Sequence, residues 1–502
     1  MSSCVRPMKY PAPLAALATL LTVFTSHAAP LPRSTPEAEG LSSRALLTLV
    51  EQAESRVDAL HSLMVVRNGR VVAEGWWAPY QANEPHVMFS LSKSFTSTAI
   101  GLAQAEGKLS INDLVTSYFP EDLPATPSEN LRGMRVRDLL MMSTGQHPED
   151  VDRVDYFGET SAARQFLALP VPHKPGTLFY YNTPATFMLS AIVSKATGQD
   201  LVEYLTPRLF QPLGIEGARW DRDPRGVPLG GFGLNIRTED IARFGLLYLQ
   251  RGEYDGKRIL PAEWVDLATS RQASNGSSPD SDWDQGYGFQ FWRSRHGYRG
   301  DGAFGQFCII LPDQKTVVAI TSGTGDMGGV MKLLWEKLIP ELRPAALPAD
   351  DAGLAALQSK LTSLRLATPA GKPTSPAAVA LSGRTFRLAQ NPLGLETVTF
   401  SEKNGQMTLQ VRTGGRDYPI ALGHGTWADG SQLPRPQTDG KLAAAGAWTA
   451  EDTYTAKLVY RTSPFIDTLL LRFTGNTLAL TVKPNVAFGP NAPVEITGTA
   501  GE

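Results

Sequence analysis

Two short apolar runs near the start of the chain, 63–66 and 71–75, flank the pair Asn68-Gly69. An Asn-Gly pair between two such runs favours a two-residue β-hairpin turn. Further strand patterns come much later, at 287–292, 307–311 and 316–320. The pattern predicts a sheet that the hairpin begins and the late strands complete.

Helical patterns dominate between these strands, from Ser90 to about Trp264. The most regular of them covers 184–196, with Thr183 suited to the N-cap and Gly198 to the stop. A helical region inserted into an antiparallel sheet gives a mixed α/β (α+β) fold.

The composition changes after residue 342. Residues 343–380 are rich in Pro and Ala, and we interpret them as a linker with one short helix. Short strands separated by Gly, Asn and Asp follow over 381–502, which predicts a small C-terminal all-β domain. The main domain would then cover 30–342.

The first residues have the pattern of a signal peptide. Arg6 and Lys9 precede a short apolar stretch, and small residues around Ala28 offer a cleavage site. We expect residues 1–29 to be removed and the protein to be periplasmic or secreted. The apolar stretch is short for a membrane span, and no later stretch is long enough, so no span is expected after removal.

Charge and metal-ligating residues narrow the function further. A net charge of −2 without long runs of one sign argues against nucleic-acid binding. Cys4 leaves with the predicted signal peptide, and Cys308 lies in an apolar run typical of core packing. The histidines show no H-E-x-x-H pattern, so no metal and no cofactor are predicted.

A serine and a lysine three residues apart, Ser90 and Lys93, open one of the predicted helices. At this spacing both side chains project from one helical face, with Cβ atoms about 5–6 Å apart. A serine hydroxyl becomes a good nucleophile when a base takes its proton, and a desolvated lysine can do that. Such a pair can also be the solvated start of a helix, so other motifs are needed to distinguish a catalytic pair from this alternative.

Two such motifs are present. Tyr180, Tyr181 and Asn182 lie in a loop before the helix at 184–196, where a phenol can relay a proton and a polar neighbour can hold lysine or substrate. The alternative is that both tyrosines pack in the core.

The second motif is the glycine-rich segment 299–306, which formally matches G-x-G-x-x-G. A dinucleotide fingerprint must open a helix, whereas a strand pattern follows here. Glycines on an edge strand instead let a ligand lie close against the backbone.

In order and separation, the Ser-x-x-Lys pair, the tyrosine loop and the glycine-rich segment resemble the three motifs of the serine β-lactamase and penicillin-binding-protein superfamily. The similarity is greatest to the branch with tyrosine in the second motif. That branch includes class C β-lactamases, D-aminopeptidase and carboxylesterase relatives, and 6-aminohexanoate-dimer hydrolase. The resemblance covers about 35–342 and implies a two-lobed fold with the active site in the cleft between the lobes.

The resemblance also implies roles for residues. Ser90 would be the acylated nucleophile and Lys93 its activating partner. Tyr180 fits a strict Tyr-x-Asn pattern, but the spacing Pro-Gly-Thr-x-Phe-x-Tyr selects Tyr181 and puts Thr183 where Asn is common. We favour Tyr181 as the proton shuttle and keep Tyr180 as the alternative.

For substrate binding, the resemblance implies an oxyanion hole formed by the backbone N–H groups of Ser90 and Ala303. Asn182 and Gly302 would complete this part of the site. Two such donors are each expected to contribute about 3–4 kcal/mol in a site without water.

The third motif departs from the lactamase pattern. Lactamases and D,D-peptidases usually have Lys or His, then Thr or Ser, then Gly, whereas this chain has Gly300-Asp301-Gly302. The missing cation normally recognises the carboxylate of a β-lactam or a terminal D-alanine. Arg299 or His296 could compensate, although strand alternation points Arg299 and Gly300 to opposite faces.

We therefore expect a serine hydrolase that forms an acyl-enzyme with a small ester, amide or peptide-like substrate, as in the aminohexanoate-dimer-hydrolase-like subgroup. One alternative is a β-lactamase or D-Ala-D-Ala-type peptidase. An alternative of another class is a cell-wall or β-lactam-binding protein without hydrolytic activity. A Ser-His-Asp hydrolase is disfavoured because no G-x-S-x-G occurs in the sequence.

Overall fold

The computed structural model describes residues 29–403 and 406–501, so nearly all of the predicted signal peptide lies outside the described residues. Its α-helices are α1 Ser43–Arg56, α2 Ser92–Ala105, α3 Glu129–Gly133, α4 Val136–Leu140, α5 Pro148–Val151, α6 Ala162–Ala168, α7 Thr183–Thr197, α8 Leu201–Leu205, α9 Gln211–Leu213, α10 Thr238–Leu249, α11 Ala262–Thr269, α12 Met327–Lys337, α13 Asp351–Thr362 and α14 Pro376–Leu381.

The strands before residue 343 are β1 Leu60–Arg67, β2 Arg70–Trp76, β3 His86–Val87, β4 Arg219–Trp220, β5 Leu234–Ile236, β6 Glu253–Tyr254, β7 Lys257–Arg258, β8 Trp292–Arg293, β9 Tyr298–Gly302, β10 Gln306–Leu311 and β11 Thr316–Ser322. Those of the C-terminal part are β12 Arg384–Leu388, β13 Leu395–Lys403, β14 Gln406–Thr413, β15 Arg416–Leu422, β16 Ala428–Gln432, β17 Lys441–Trp448, β18 Thr453–Tyr460, β19 Ile466–Thr474, β20 Thr477–Pro484 and β21 Val494–Ala500.

The first sheet has the order β2-β1-β11-β10-β9-β8. The predicted hairpin is confirmed, and its turn uses the left-handed conformation at Asn68 (φ 50°) and Gly69 (φ 81°). Strand β1 pairs antiparallel with the distant β11, with Val65 opposite Val318. The helices α2 to α11 are inserted between β2 and β8, which confirms the mixed fold with an inserted helical lobe.

Side-chain alternation divides this sheet between two cores. Leu63 and Val65 pack in one hydrophobic cluster with α1 and α12, whereas Met64 and Val66 pack in another with α2 and α10. Cys308 belongs to the second cluster and is buried, as its apolar surroundings predict.

Residues 287–291 are not the predicted strand, because only Trp292–Arg293 pairs with β9. Gln290 instead adopts a left-handed conformation with φ 65°. Its side-chain amide donates to the carbonyls of Leu139 and Leu140 at 3.2 and 2.7 Å. The segment therefore connects the sheet to the helical lobe through hydrogen bonds to α4.

The C-terminal part forms one ten-stranded antiparallel sheet, which confirms the predicted all-β architecture. Its edges meet, since Gly423 bridges to Ala445 and the amide of Ala421 donates to Ser431 at 3.1 Å. The sheet is thus a nearly closed barrel.

The segment 343–380 is more than the predicted linker. Its helix α13 packs against α1 and β2. Leu357 and Leu364 are buried in the cluster that lies on that face of the first sheet.

The barrel contacts the preceding part of the chain at β3, which pairs with β5 in a small separate sheet, and at the loop between β2 and β3. The amide of Val87 donates to the carbonyl of Thr462 at 2.9 Å, and the hydroxyl of Tyr80 donates to the carbonyl of Ser463 at 3.0 Å. His61 and His86 are buried at this junction, with Nδ1 and Nε2 only 3.2 Å apart. Burial lowers the pKa of His86 to about 4, and burial together with His86 lowers the pKa of His61 well below its usual value.

These two histidines predict acid sensitivity. Because their pKa values fall on folding, the unfolded chain binds more protons than the folded chain below its own histidine pKa of about 6.5. Stability should therefore fall as the pH drops from about 6.5 to about 4, with a cost of about 2 kcal/mol for His86 alone near pH 4.5. Urea unfolding at neutral pH and near pH 4.5 measures this loss. His86→Gln should reduce it, and His424→Gln, at an exposed position, should not. An unchanged loss in His86→Gln would contradict the assignment.

Candidate active site

Ser90 lies in a tight turn that leads into α2. The turn is a 3-10 segment, Phe89–Leu91, and α2 begins at the next residue. Phe89 has a left-handed backbone with φ 43°, a conformation that L residues other than glycine rarely adopt. Ser90 remains partly exposed, whereas α2 is buried from Ser92 to Ala103. The turn therefore presents the hydroxyl at the edge of a buried helix.

Lys93 is brought together with Ser90, as the motif predicts. Its Nζ lies 3.0 Å from Ser90 Oγ and donates to the carbonyl of Gly231 at 2.7 Å. Only 1% of Lys93 is exposed. Burial lowers the pKa of Lys93 to about 7, and the negative charge of Asp301 partly opposes this shift. A substantial fraction of the amine is thus neutral at physiological pH.

The carbonyl of Gly231 is a partner of Lys93 that the sequence interpretation missed. Two polar side chains of α2 bind the neighbouring loop: Thr96 donates to the carbonyl of Gly230 at 2.9 Å, and Ser92 accepts from the amide of Leu234 at 3.1 Å. A Cβ at Gly231 would lie 2.8 Å from Thr183. Glycine therefore permits the close approach that supplies the lysine with an acceptor.

The two adjacent tyrosines point to different surroundings. Tyr181 faces the Ser90–Lys93 pair: its ring centroid is 4.9 Å from Lys93 Nζ, and its ring stacks on Trp292 at 5.3 Å. Burial is the main cause that raises the pKa of Tyr181, and the negative charge of Asp301 contributes. An interaction with the Ser90 hydroxyl opposes the shift. Its phenol is therefore protonated at neutral pH.

Tyr180 is half-buried on the other side of the loop. Its backbone N–H donates to the carbonyl of Met142 at 2.8 Å. Burial raises the pKa of its phenol, and the charge of Asp152 contributes. The structure thus brings Tyr181, and not Tyr180, to the Ser90–Lys93 pair.

Asn182 is reassigned from substrate binding to helix capping. Its Oδ1 accepts from the amide of Ala185 at 2.9 Å, and its Nδ2 donates to Thr144 and Gln146 at 3.0 and 3.2 Å. Only 1% of Asn182 is exposed. Asn182, rather than the predicted Thr183, is the N-cap of α7.

Glycines of β9 let this strand lie against the Ser90 turn. A Cβ at Gly300 would lie 2.5 Å from Leu91, and one at Gly302 would lie 2.1 Å from the carbonyl oxygen of Met88. These glycines thus make room for the protein's own Leu91 side chain and Met88 backbone, whereas the sequence predicted close approach of a ligand. Ala303 follows directly in the β9–β10 turn and is partly exposed.

The charged residues of β9 neutralise each other. Arg299 is fully buried and donates through Nε to Asp301 at 2.9 Å, and Trp283 donates to the same carboxylate at 3.1 Å. His296 is exposed and packs on Trp335, with ring centroids 5.1 Å apart. Neither Arg299 nor His296 replaces the cation that the third motif lacks.

Among residues 29–403 and 406–501, no group of three or more His, Cys, Asp or Glu residues is arranged to hold a metal ion. In the same residues no helix combines the length and apolarity that crossing a membrane requires.

The Beta-lactamase family model matches residues 54–336, more than half of the chain, and the chain belongs to this family. It is 26% identical over 317 residues to 6-aminohexanoate-dimer hydrolase of Paenarthrobacter ureafaciens, which covers 58% of this chain and 80% of the relative. A proposed D-alanyl-D-alanine carboxypeptidase of Salmonella typhimurium is 23% identical over 224 residues, 39% of this chain and 52% of that protein. The chain thus spans about half of the second relative.

Two solved structures show the same fold. A proposed 6-aminohexanoate-dimer hydrolase from Bacillus anthracis superposes with a TM-score of 0.53 at 24% identity, covering 64% of this chain and 90% of that one. EstCE1, described as a hydrolase with promiscuous acyltransferase activity, gives a TM-score of 0.51 at 17% identity and covers 60% and 99% of the two chains.

The positions of the two tyrosines give a test with a matched control. Tyr181→Phe removes the hydroxyl next to Ser90 and should lower kcat/KM for a short nitrophenyl ester about a hundredfold or more. Tyr180→Phe makes the same chemical change in the adjacent residue and should alter kcat/KM less than about twofold. Steady-state rates of both variants, with melting curves as a folding control, measure the difference. A large loss in Tyr180→Phe alone would select the other register.

Proposed function

We propose that the protein is a serine hydrolase that cleaves ester or linear amide bonds through an acyl-enzyme on Ser90. The observation that carries the proposal is the buried Lys93 amine, 3.0 Å from Ser90 Oγ. A nucleophile, a base of lowered pKa and a second proton donor converge there.

The opposite pKa shifts support separate roles for the two partners of Ser90. Lys93, with a pKa of about 7, accepts the serine proton while its own N–H remains bonded to Gly231. Tyr181, with a raised pKa, is protonated at rest; it gives its phenolic proton to the leaving group and receives from Lys93 the proton taken from Ser90.

The acylation step follows from these roles. Ser90 Oγ bonds to the substrate carbonyl carbon, and the bond to the leaving alcohol or amine breaks after that group receives a proton. The backbone N–H groups of Ser90 and Ala303 stabilise the oxyanion. Water then attacks the acyl-enzyme and releases the acid.

The substrate class we propose lacks the carboxylate that lactamases recognise. Gly300 stands where they carry a cation, and the nearby Arg299 is buried in its ion pair with Asp301. The relative from Paenarthrobacter, a 6-aminohexanoate-dimer hydrolase, supports an amide bond outside a lactam ring as one of the bonds cleaved. We further propose that the protein acts outside the cytoplasm, which the signal-peptide pattern of residues 1–29 supports.

The Lys93 pKa predicts how the activity depends on pH. Only the neutral amine can accept the Ser90 proton, so kcat/KM should be low in acid and rise with pH through an apparent pKa of about 7. Initial rates with a neutral ester across pH 5–9 measure this limb, and Lys93→Met should abolish it. A wild-type profile without a transition near pH 7 would remove Lys93 as the base.

Covalent labelling tests the proposed function as a whole. A fluorophosphonate probe should label the wild type and Ser55→Ala, a change at an exposed serine of α1, but not Ser90→Ala. The labelled protein should occur in the periplasmic or secreted fraction without residues 1–29. Absence of labelling and of any burst with an activated ester would favour the binding protein without hydrolytic activity.

A parallel assay defines the substrate class. It compares a short nitrophenyl ester, a linear ω-amino-acid dimer amide and a chromogenic cephalosporin at equal concentrations. Turnover of the ester or the amide should dominate. Dominant turnover of the cephalosporin would instead establish the β-lactamase alternative and overturn the inference from Gly300.

A further inference from the structure

The C-terminal barrel is hollow at one end. An apolar cavity of about 600 Å³ lies between its strands, a volume within the range of small-molecule sites. Inward-facing side chains from successive strands form its wall: Val398, Val411, Leu458, Leu469, Leu480 and Val482. At this end, the interior of the barrel is thus not filled by side chains as it is in a small barrel.

The opposite end of the barrel is filled. Its aromatic rings pack against one another with centroid separations of 5.0–6.1 Å. The rings belong to Phe386, Phe400, Trp448, Tyr454 and Phe473. The cavity therefore lies at the end of the barrel whose loops contact Val87, Tyr80 and Gly323 of the main domain, through Thr462, Ser463 and Asn485 respectively.

Two phenylalanines belong both to the cavity wall and to the surroundings of Ser90. Phe465 and Phe488 line the cavity. Their rings lie 6.2 and 5.2 Å from that of Phe89, the residue before Ser90. They lie 5.8 and 4.8 Å from that of Phe304, the residue after Ala303.

Part of this apolar connection is accessible. Phe488 is 57% exposed, and Phe304 is partly exposed. A continuous set of aromatic side chains thus extends from the two turns of the proposed oxyanion hole to the mouth of the cavity.

The charges on the cavity wall cancel. Arg435 pairs with Asp467 through two contacts at 3.2 and 3.3 Å, and its guanidinium carbon lies over the ring of Phe465, 3.9 Å from the centroid. The remaining residues of the wall are uncharged. A neutral, flexible alkyl chain matches this lining better than a charged ligand does.

We propose that the barrel cavity holds the apolar acyl chain of the substrate while its carbonyl carbon lies at Ser90. The inference rests on the proposed hydrolase function and specifies its substrates as esters or amides of medium- and long-chain acids. Phe488 and Phe304 form the surface along which the chain passes from Ser90 to the cavity.

A chain-length series tests the proposal with neighbouring residues as matched variants. Nitrophenyl esters from acetate to dodecanoate are compared in the wild type, Leu469→Trp and Leu470→Trp. Leu469 faces the cavity, and Leu470 is exposed on the outer face of the same strand. In the wild type, kcat/KM should rise about fourfold for each methylene that enters the cavity. Leu469→Trp should fill the cavity. It should therefore lower the ratio of kcat/KM for the dodecanoate ester to kcat/KM for the acetate ester at least about tenfold. Leu470→Trp should keep the wild-type ratio.

A merely supporting role of the barrel would lower both rates and leave the ratio unchanged, which would overturn the proposal. A wild-type profile that does not rise with chain length would do the same. If melting curves show that Leu469→Trp is unfolded, Val482→Phe fills the same cavity and takes its place.

Binding without turnover separates this inference from the proposed function. Calorimetric titration of Ser90→Ala with dodecyl 4-nitrophenyl ether, which cannot be hydrolysed, should show one site. Ser90→Ala combined with Leu469→Trp should lose that site, and Ser90→Ala combined with Leu470→Trp should keep it. If the wild type hydrolyses nitrophenyl acetate but Ser90→Ala does not bind the ether, the acyl cavity is refuted and the proposed hydrolase function still stands. Ether binding without hydrolysis of any ester would refute the hydrolase, and the cavity would then hold alkyl chains that are not substrates.

Discussion

The desolvation of Lys93 is the constraint on which the site depends. A pKa of about 7 in place of 10.5 makes the folded chain less stable by roughly 5 kcal/mol at neutral pH than it would be with an unperturbed lysine. The rest of the buried core has to offset this cost. The same burial supplies a neutral amine beside a serine, and the carbonyl of Gly231 and the ring of Tyr181 close around that amine.

A second constraint is the contact between the Ser90 turn and β9. At Gly302 the backbones approach so closely that no side chain fits, and the residues beside the two candidate oxyanion donors, Phe89 and Phe304, both have left-handed backbones. Such conformations are costly and persist where surrounding packing enforces them. Here the rings of Phe465 and Phe488 supply part of that packing. The C-terminal barrel is therefore coupled to the geometry of the site through van der Waals contact.

Local patterns were sufficient to predict the hairpin, the inserted helices, the terminal all-β unit and the proximity of Ser90 and Lys93, because helical spacing places those two on one face. The spacing of the family motif favoured Tyr181, but the local pattern kept Tyr180 as an alternative, since adjacent residues in an extended loop point to opposite sides and both fit a short motif. Asn182 shows a different limit: an amide suits a helix cap as well as a substrate contact, and only the positions of Ala185, Thr144 and Gln146 decide. The Gly231 carbonyl carries no sequence signature, because every residue has one. The contact of the barrel's rings with Phe89 could not be predicted either, because these rings lie hundreds of residues from Ser90 in the chain.

The long-range pairing of β1 with β11 has a consequence for biosynthesis. Val65 meets Val318 across most of the main domain, and such distant pairings form late. A chain made from its N-terminus contains Ser90 and Lys93 well before it contains Gly231, Ala303 or Phe488. The nascent chain therefore carries its nucleophile without the groups that would activate it. The serine becomes reactive only when synthesis and folding are nearly complete. An unfinished chain therefore does not react with the compounds that the finished protein would attack.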